Sequence, residues 1–349
     1  MASSSASPGR SCPVTYRTRA STIAQLTPLR AQSFFIVGGL YGNLEALDAI
    51  EALAEHEVAM GLPRPRLVFN GDFHWFDAEP AWFAEVQHRV GAHSASRGNV
   101  EAELVDPQPD AGCGCAYPPS TPEQTVAWSN AIIARLQEAA RATGSLVADL
   151  RSLPPQLRLQ VGDCRIGVVH GDPDSLAGWG LELDAMPPIG NSDPGSLSGL
   201  GAHSEPVGGA VGAAQARQAA RLEAWFRDAD VDLLASSHTC RCFAQDFPGN
   251  RAVFNNGAAG MPVFAGDHRV MITRVARHPP VLPDDHLSSC GTRVRDAHVD
   301  AILLPWDREA FLWRFDQVWP PGSPAQLSYR RRITDGPDHH PNASCRLQE

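Results

Sequence analysis

The apolar positions of this chain fall into short runs separated by polar, glycine-rich turns. Phe34-Phe35-Ile36-Val37 is a continuous apolar run of strand length, and Gly38-Gly39-Leu40-Tyr41-Gly42-Asn43 follows it at once. From Leu44 the pattern changes. Leu44, Leu47, Ile50 and Leu53 recur every three residues, an apolar stripe of helical period. This predicts a buried strand at 34–38 and a helix over about 43–60, with Asn43 as its N-cap and Pro63 and Pro65 beyond its end. Leu67-Val68-Phe69 repeats the strand signal and runs into Asn70-Gly71-Asp72. A helix over about 79–90 precedes the polar loop Ser96-Arg97-Gly98-Asn99, and residues 104–120, rich in Pro, Gly, Asp and Cys, read as irregular. Thr121-Pro122-Glu123-Gln124 opens a helix to about 142, with proline in the first turn and Gln124 completing a capping box with Thr121.

Leu157–Val161 and Cys164–His170, joined by Gly162-Asp163, predict a β-hairpin. Residues 183–212 are rich in Gly, Ser and Pro and read as a long mobile insertion. A helix over 213–227 and a strand over 232–235 follow, the strand ending in Ser236-Ser237-His238-Thr239-Cys240. Two more strands are predicted near 252–254 and 269–275. From 277 the chain offers one strand (Val299–Leu304), one helix (Arg308–Trp319) and a polar, flexible tail. The organisation expected is an N-terminal extension, 1–33, a main domain, 34–276, carrying the insertion, and a C-terminal extension, 277–349. Strands both alternate with helices and pair as hairpins, which favours an α/β sandwich over a purely parallel sheet.

At 349 residues with 43% apolar side chains, the chain can bury a proper core. Its formal net charge of −10 excludes duplex nucleic acid as an expected partner, because such binding needs a basic face. No apolar stretch approaches ~18 residues, so no membrane span is expected. Residues 1–33 contain no acid, several arginines and many serines. A transit peptide shares that composition, but a flexible extension is the simpler reading. There is no signal-peptide apolar core, which makes a cytoplasmic location the default. The eight cysteines do not form a disulfide scaffold, and Cys113/Cys115 and Cys240/Cys242 have C-x-C rather than C-x-x-C spacing. Most are expected as free thiols.

Four polar loops stand at predicted element ends: Gly71-Asp72, Gly98-Asn99, His170-Gly171 and His238-Thr239. Asp72 and Asn99 offer hard oxygens, and His170 and His238 offer borderline nitrogens. Such a set suits Mn²⁺, Fe²⁺ or Zn²⁺ and leaves positions open for water or substrate. Taken singly, each residue also has an ordinary structural role: Asp72 as a cap, Asn99 in a turn, His170 in a buried hydrogen bond.

In order along the chain, "YGNLEALDAI", "NGDFH", "RGNVEAE", "VVHGDP" and "SSHTC" resemble the motifs of the calcineurin-like metallophosphoesterase superfamily, in particular its small bacterial phosphoesterases. The resemblance covers about residues 34–275. It implies a four-layer α-β-β-α sandwich of two mixed sheets with metals at the carboxyl ends of the strands. It also implies that Asp72 bridges two metals and that Asn99, His170 and His238 complete the second metal's ligands. The first metal's set is broken. Gly39 and Tyr41 stand where the family has its Asp and His, and Cys240 replaces the second His of the last motif. Val100 stands where the family has a proton-donating histidine, while Glu101 keeps the neighbouring acid.

One ion is therefore expected rather than two. His74 and Cys240 could help rebuild the first site, or His74 could stack with Trp75 and Phe76. Tyr41 reads as packing or substrate contact, and Arg97 and Arg241 as candidate contacts to an anion. The function implied is a divergent metal-dependent phosphoesterase acting on a small phosphate ester, with Asp72 and His238 in catalytic roles. The alternatives are a non-catalytic metal-binding or regulatory protein of the same fold, and thiol-assisted metal chemistry.

Overall fold

The computed structural model describes residues 8–144, 146–188 and 210–347. Its strands, in chain order, are β1 (Leu29–Arg30), β2 (Ser33–Val37), β3 (Arg66–Asn70), β4 (Ser94–Ser96), β5 (Gln156–Val161), β6 (Cys164–Val169), β7 (Leu233–Ser236), β8 (Phe243–Phe247), β9 (Arg251–Asn255), β10 (Val270–Ala276), β11 (Leu287–Val294), β12 (Ala297–Leu304) and β13 (Cys345–Arg346). Six of them form one sheet in the order β11-β12-β10-β2-β3-β4, and seven form the other in the order β1-β5-β6-β7-β9-β8-β13. Both sheets are mixed: β2-β3-β4 run parallel, while β10 is antiparallel to β2 and β12.

The helices are α1 (Ala20–Gln25), α2 (Leu44–Ala59), α3 (Pro80–Gly91), α4 (Asn99–Val105), α5 (Glu123–Ala142), α6 (Leu146–Arg151), α7 (Ala210–Ala229), α8 (Arg308–Val318) and α9 (Pro324–Asp335). Strand parity shows how the layers form. Along β2, Phe35 and Val37 face the core shared with α2, α3, α5 and α8, while Phe34 and Ile36 face the core between the sheets. A run that is apolar at every position is what a strand buried on both faces requires. On the far side of the second sheet, Val169, Leu234 and Val253 pack against Ile23 of α1 and Leu222, Trp225 and Phe226 of α7. The result is the four-layer α-β-β-α sandwich expected from the motifs.

Local expectations are met where a side chain enforces them. Asn43 caps α2, its Oδ1 accepting from Ala46 N at 2.8 Å. The capping box expected from Thr121 and Gln124 does not form; Pro122 occupies the N-cap of α5 without a side-chain bond.

The chain ends differ most from expectation. Residues 8–33 are not a loose extension: they contain α1 and β1, Ile23 is fully buried, and the Tyr16 hydroxyl donates to Glu103 at 2.6 Å. A lack of acids says nothing against docking. The segment from 277 is not an appendage either. It supplies two strands to the first sheet, one to the second, and two helices, where one strand and one helix were expected. Strand β11 escaped notice because it is an edge strand whose outer positions are polar, so its apolar alternation is faint. Of the expected insertion, 189–209 lie outside the described residues.

One pair of cysteines departs from the free-thiol expectation. Cys290 of β11 and Cys345 of β13 form a disulfide, while Cys12, Cys113, Cys115, Cys164, Cys240 and Cys242 are free. No described helix is long and apolar enough to cross a membrane.

The disulfide joins residues 55 positions apart and ties one sheet edge to the other. Cys345→Ser is expected to lower unfolding free energy by about 2–4 kcal/mol, the usual effect of opening such a loop. Urea denaturation with and without a thiol reductant measures it. An unchanged midpoint in both experiments would show that the bridge contributes nothing.

Candidate metal centre

Two strands from each sheet deliver the polar cluster. Asp72 lies two residues past β3 and Asn99 three past β4; His170 directly follows β6 and His238 lies two past β7. The carboxyl ends of the parallel strands thus meet where the two sheets face each other. The ligand atoms of Asp72, His170 and His238 all lie within 4.8 Å of one another. His170 Nε2 is 3.2 Å from Asp72 Oδ2, 3.0 Å from Asn99 Oδ1 and 3.1 Å from His238 Nδ1. All four residues are buried.

The polarity of this cluster is imposed from behind. His170 Nδ1 lies 2.9 Å from the Asn70 carbonyl oxygen, and His238 Nε2 lies 3.1 Å from that of Cys115. A carbonyl can only accept, so each ring carries its proton on the outer nitrogen and turns the inner one toward the centre. Asn99 Nδ2 donates to the Cys113 carbonyl at 3.0 Å, which turns Oδ1 inward in the same way. Three backbone carbonyls thus orient three side chains so that lone pairs, not hydrogens, converge beside the Asp72 carboxylate. Outer hydrogen bonds of this kind orient metal ligands.

Converging lone pairs need a cation. Without a metal, a proton serves. Burial pushes the His170 imidazole down, but the charge and hydrogen bond of Asp72 outweigh it and raise the imidazole above its usual range. Burial likewise pushes Asp72 up, and His170 more than reverses this. Burial and then the His170 charge push His238 down to about 3, so it stays neutral. An N₂O₂ donor set of this composition fits Mn²⁺, Fe²⁺ or Zn²⁺.

Glu101 holds the loop that carries Asp72. Its Oε2 accepts from Asp72 N at 2.8 Å and Gly98 N at 2.7 Å, and its Oε1 from Phe73 N at 3.0 Å and His74 N at 3.3 Å. Asp72 itself has φ +52°, a conformation few side-chain residues adopt outside functional sites. Its Oδ1 accepts from Val100 N at 3.0 Å. A Cβ on Gly98 would stand 2.2 Å from that oxygen, so only glycine fits there. From sequence, Glu101 reads only as the acid kept beside Val100. Its spacing from Gly98, three residues on, is the signature of an acid that reaches back to the start of its own helix.

The other half of the expected site is filled with protein. A Cβ on Gly39 would stand 2.6 Å from the ring of Tyr41, so the tyrosine occupies the space beside Gly39. The Tyr41 hydroxyl lies 2.9 Å from Cys240 Sγ. Burial is the main influence that raises both groups above their usual ranges, so phenol and thiol stay protonated. Tyr41 and Cys240 have φ +54° and +56°.

His74 is not brought to the cluster. Its ring is fully buried, stacked on Phe83 with centroids 4.0 Å apart, and its nitrogens contact Asp77 Oδ2 at 2.5 Å and Gln87 Oε1 at 3.0 Å. Arg97 does not line the cavity beside the cluster, and Arg241 pairs with Asp184 at 2.5 Å.

That cavity measures about 250 Å³. Asp72, Asn99 and His238 lie on one side, and Ser328, Tyr329 and Arg332 of α9 on another; Trp75, Tyr117 and Trp179 add aromatic wall. The sequence held no local signal for α9, because it is polar and buries only Ala325 and Ile333 fully.

Fold and cluster together define a four-layer α-β-β-α sandwich with, among the described residues, one buried cluster able to take a divalent ion. The chain is similar in structure to hypothetical protein PH1004 from Pyrococcus horikoshii OT3, with a TM-score of 0.55, 16% identity, and coverage of 88% of this chain and 99% of that one. A metallophosphoesterase from Sphaerobacter thermophilus gives a TM-score of 0.47 at 16% identity, covering 88% of this chain and 100% of that one. Vacuolar Protein Sorting 29 from Cryptosporidium parvum gives 0.32 at 13% identity, with 79% and 98% covered. Likeness at these identities concerns the fold. A scan against protein-family models and a search of the curated proteins find no match.

Two substitutions test how the site is held. Glu101→Gln turns one of the two acceptor oxygens into a donor, so two of the four backbone amides lose their acceptor, and it is expected to cost roughly 2–4 kcal/mol in urea unfolding; a loss below about 0.5 kcal/mol would contradict the clamp. Gly39→Ala is expected to cost about 1–3 kcal/mol through its clash with the Tyr41 ring. Tyr41→Ala should relieve that cost, giving a double-mutant coupling energy well away from zero. Additive losses would show that the ring does not limit this position.

Proposed function

We propose that this chain is a metal-dependent phosphoesterase-type hydrolase that uses one divalent transition metal, Mn, Fe or Zn, on a small phosphate ester. The observation that carries the reading is the convergence of lone pairs from Asp72, Asn99, His170 and His238, each neutral donor tethered outward to a backbone carbonyl. When bound, the metal supplies Lewis acidity toward a phosphoryl oxygen and acidifies water near pH 7.

The protein's own part is ligation, orientation and water exclusion. The fixed tautomers leave His170 Nε2 and His238 Nδ1 free to bind without reorganisation. Val100 brings no proton to the leaving group, an assistance usually worth ~10²–10⁴-fold. Activated esters with good leaving groups are therefore the substrates best suited to the site. A second reading, a metal-binding protein without turnover, is favoured by Val100 and by the Tyr41–Cys240 contact that fills the other metal's place.

Protein purified without added metal is expected to carry one equivalent by elemental analysis, and Asp72→Ala and His238→Ala are expected to lose it. Protons compete at His170, whose affinity for them Asp72 raises, so metal should dissociate as pH falls. Metal-free wild type in folded form would overturn the proposal. Equal rates on an activated aryl phosphate for wild type and Asp72→Ala would leave only the second reading.

A further inference from the structure

Arg332 stands apart from the other arginines around it. Its Nη2 donates to the Cys240 carbonyl at 3.0 Å, and the guanidinium also acts on the Cys240 thiol beside it. Its Nε is buried and has no partner. No carboxylate lies within ion-pair distance of it among the described residues, whereas Arg241, Arg314 and Arg330 nearby in sequence or space each pair with an acid. A guanidinium has five N–H groups. One of them, on Nε, is buried without an acceptor, which is costly unless something takes it up.

The residue lines the cavity beside the metal cluster. Arg332 is the one arginine lining it among the described residues, and the full sequence contains no lysine at all. A second unpartnered donor belongs to the same wall: Trp75, 3% exposed, has a buried Nε1 with no acceptor. Both residues, one of them cationic, line the space that Asp72 and His238 also line, and each carries a donor without an acceptor. An acceptor-rich anion is the chemical complement of that wall. The remaining lining, Tyr117, Trp179 and Tyr329, is aromatic and suits a flat apolar group.

We propose that Arg332, with Trp75, forms the subsite that receives the non-reacting phosphoryl oxygens of a phosphate monoester whose organic part is flat and aromatic. This rests on the metal-dependent reading above. Arg332 reaches the cavity from α9, and its anchor is the carbonyl of Cys240, the residue that replaces a metal ligand in the first site. The chain places a guanidinium beside Cys240, at the edge of the polar cluster. A fixed positive charge there would complement an anion held next to the cluster.

The test uses the full chain loaded with metal. Inorganic phosphate binding is measured by calorimetry for wild type, Arg332→Gln and Arg332→Lys, alongside metal content and thermal melting. The expected result is unchanged metal content with phosphate affinity weakened at least about tenfold in Arg332→Gln and less in Arg332→Lys. Phosphate should also protect Arg332 of the wild type from an arginine-directed dicarbonyl reagent, read by peptide mass mapping, which requires no variant to fold. Equal phosphate affinity in both folded variants, or no protection of Arg332, would overturn the subsite and leave the metal centre standing. Loss of metal from wild type would instead overturn the reading beneath it. A phenyl phosphate that binds no tighter than inorganic phosphate would overturn the aromatic part of the proposal.

Discussion

Four backbone N–H groups converge on one buried carboxylate, and the rest of the site hangs from that contact. Glu101 gathers the amides of Asp72, Phe73 and His74 from the loop after β3 and the amide of Gly98 from the loop after β4. Without an acceptor, this bend would leave buried donors unpaired, a cost of about 1–3 kcal/mol each. With it, Asp72 can hold its unfavourable backbone conformation and present its carboxylate between two sheets. Glu101, which lies outside the cluster, thus sets the position of Asp72 within it.

The sandwich and most of its centre were legible in the sequence because each rests on local chemistry. A strand apolar at every position, followed by a helical stripe, means burial on both faces, and β2 with α2 is built that way. Asp72, Asn99, His170 and His238 were recognisable as metal-capable residues at strand ends, and the structure brings all four together. What stayed hidden depends on tertiary partners. The carbonyls of Cys113 and Cys115 come from a stretch that looks irregular in sequence, and a carbonyl has no side-chain signature. His74 looked available as a ligand two residues from Asp72, but its pairing with Asp77 and stacking on Phe83 turn it into the aromatic core. Strand β11 and helix α9 are too polar to announce themselves, since each has only a narrow buried face.

The asymmetry of the centre has a steric origin as well as a chemical one. Space beside a buried polar cluster is filled with water or side chains. Here the Tyr41 ring fills it, Gly39 makes room for the ring, and Cys240 meets its hydroxyl. The three residues fit one another, so changing any one alone would disturb the other two.

The origin of α9 late in the chain has a consequence for the order of assembly during synthesis. All four cluster residues have been made by residue 238, and the strands that position them are complete soon after. The wall carrying Tyr329 and Arg332 comes almost a hundred residues later. In the order of synthesis, α9 is therefore the last wall of the cavity to be made, after every residue of the cluster it faces. The late position of that wall means that truncations before α9 would keep all four cluster residues while removing Tyr329 and Arg332 from the cavity.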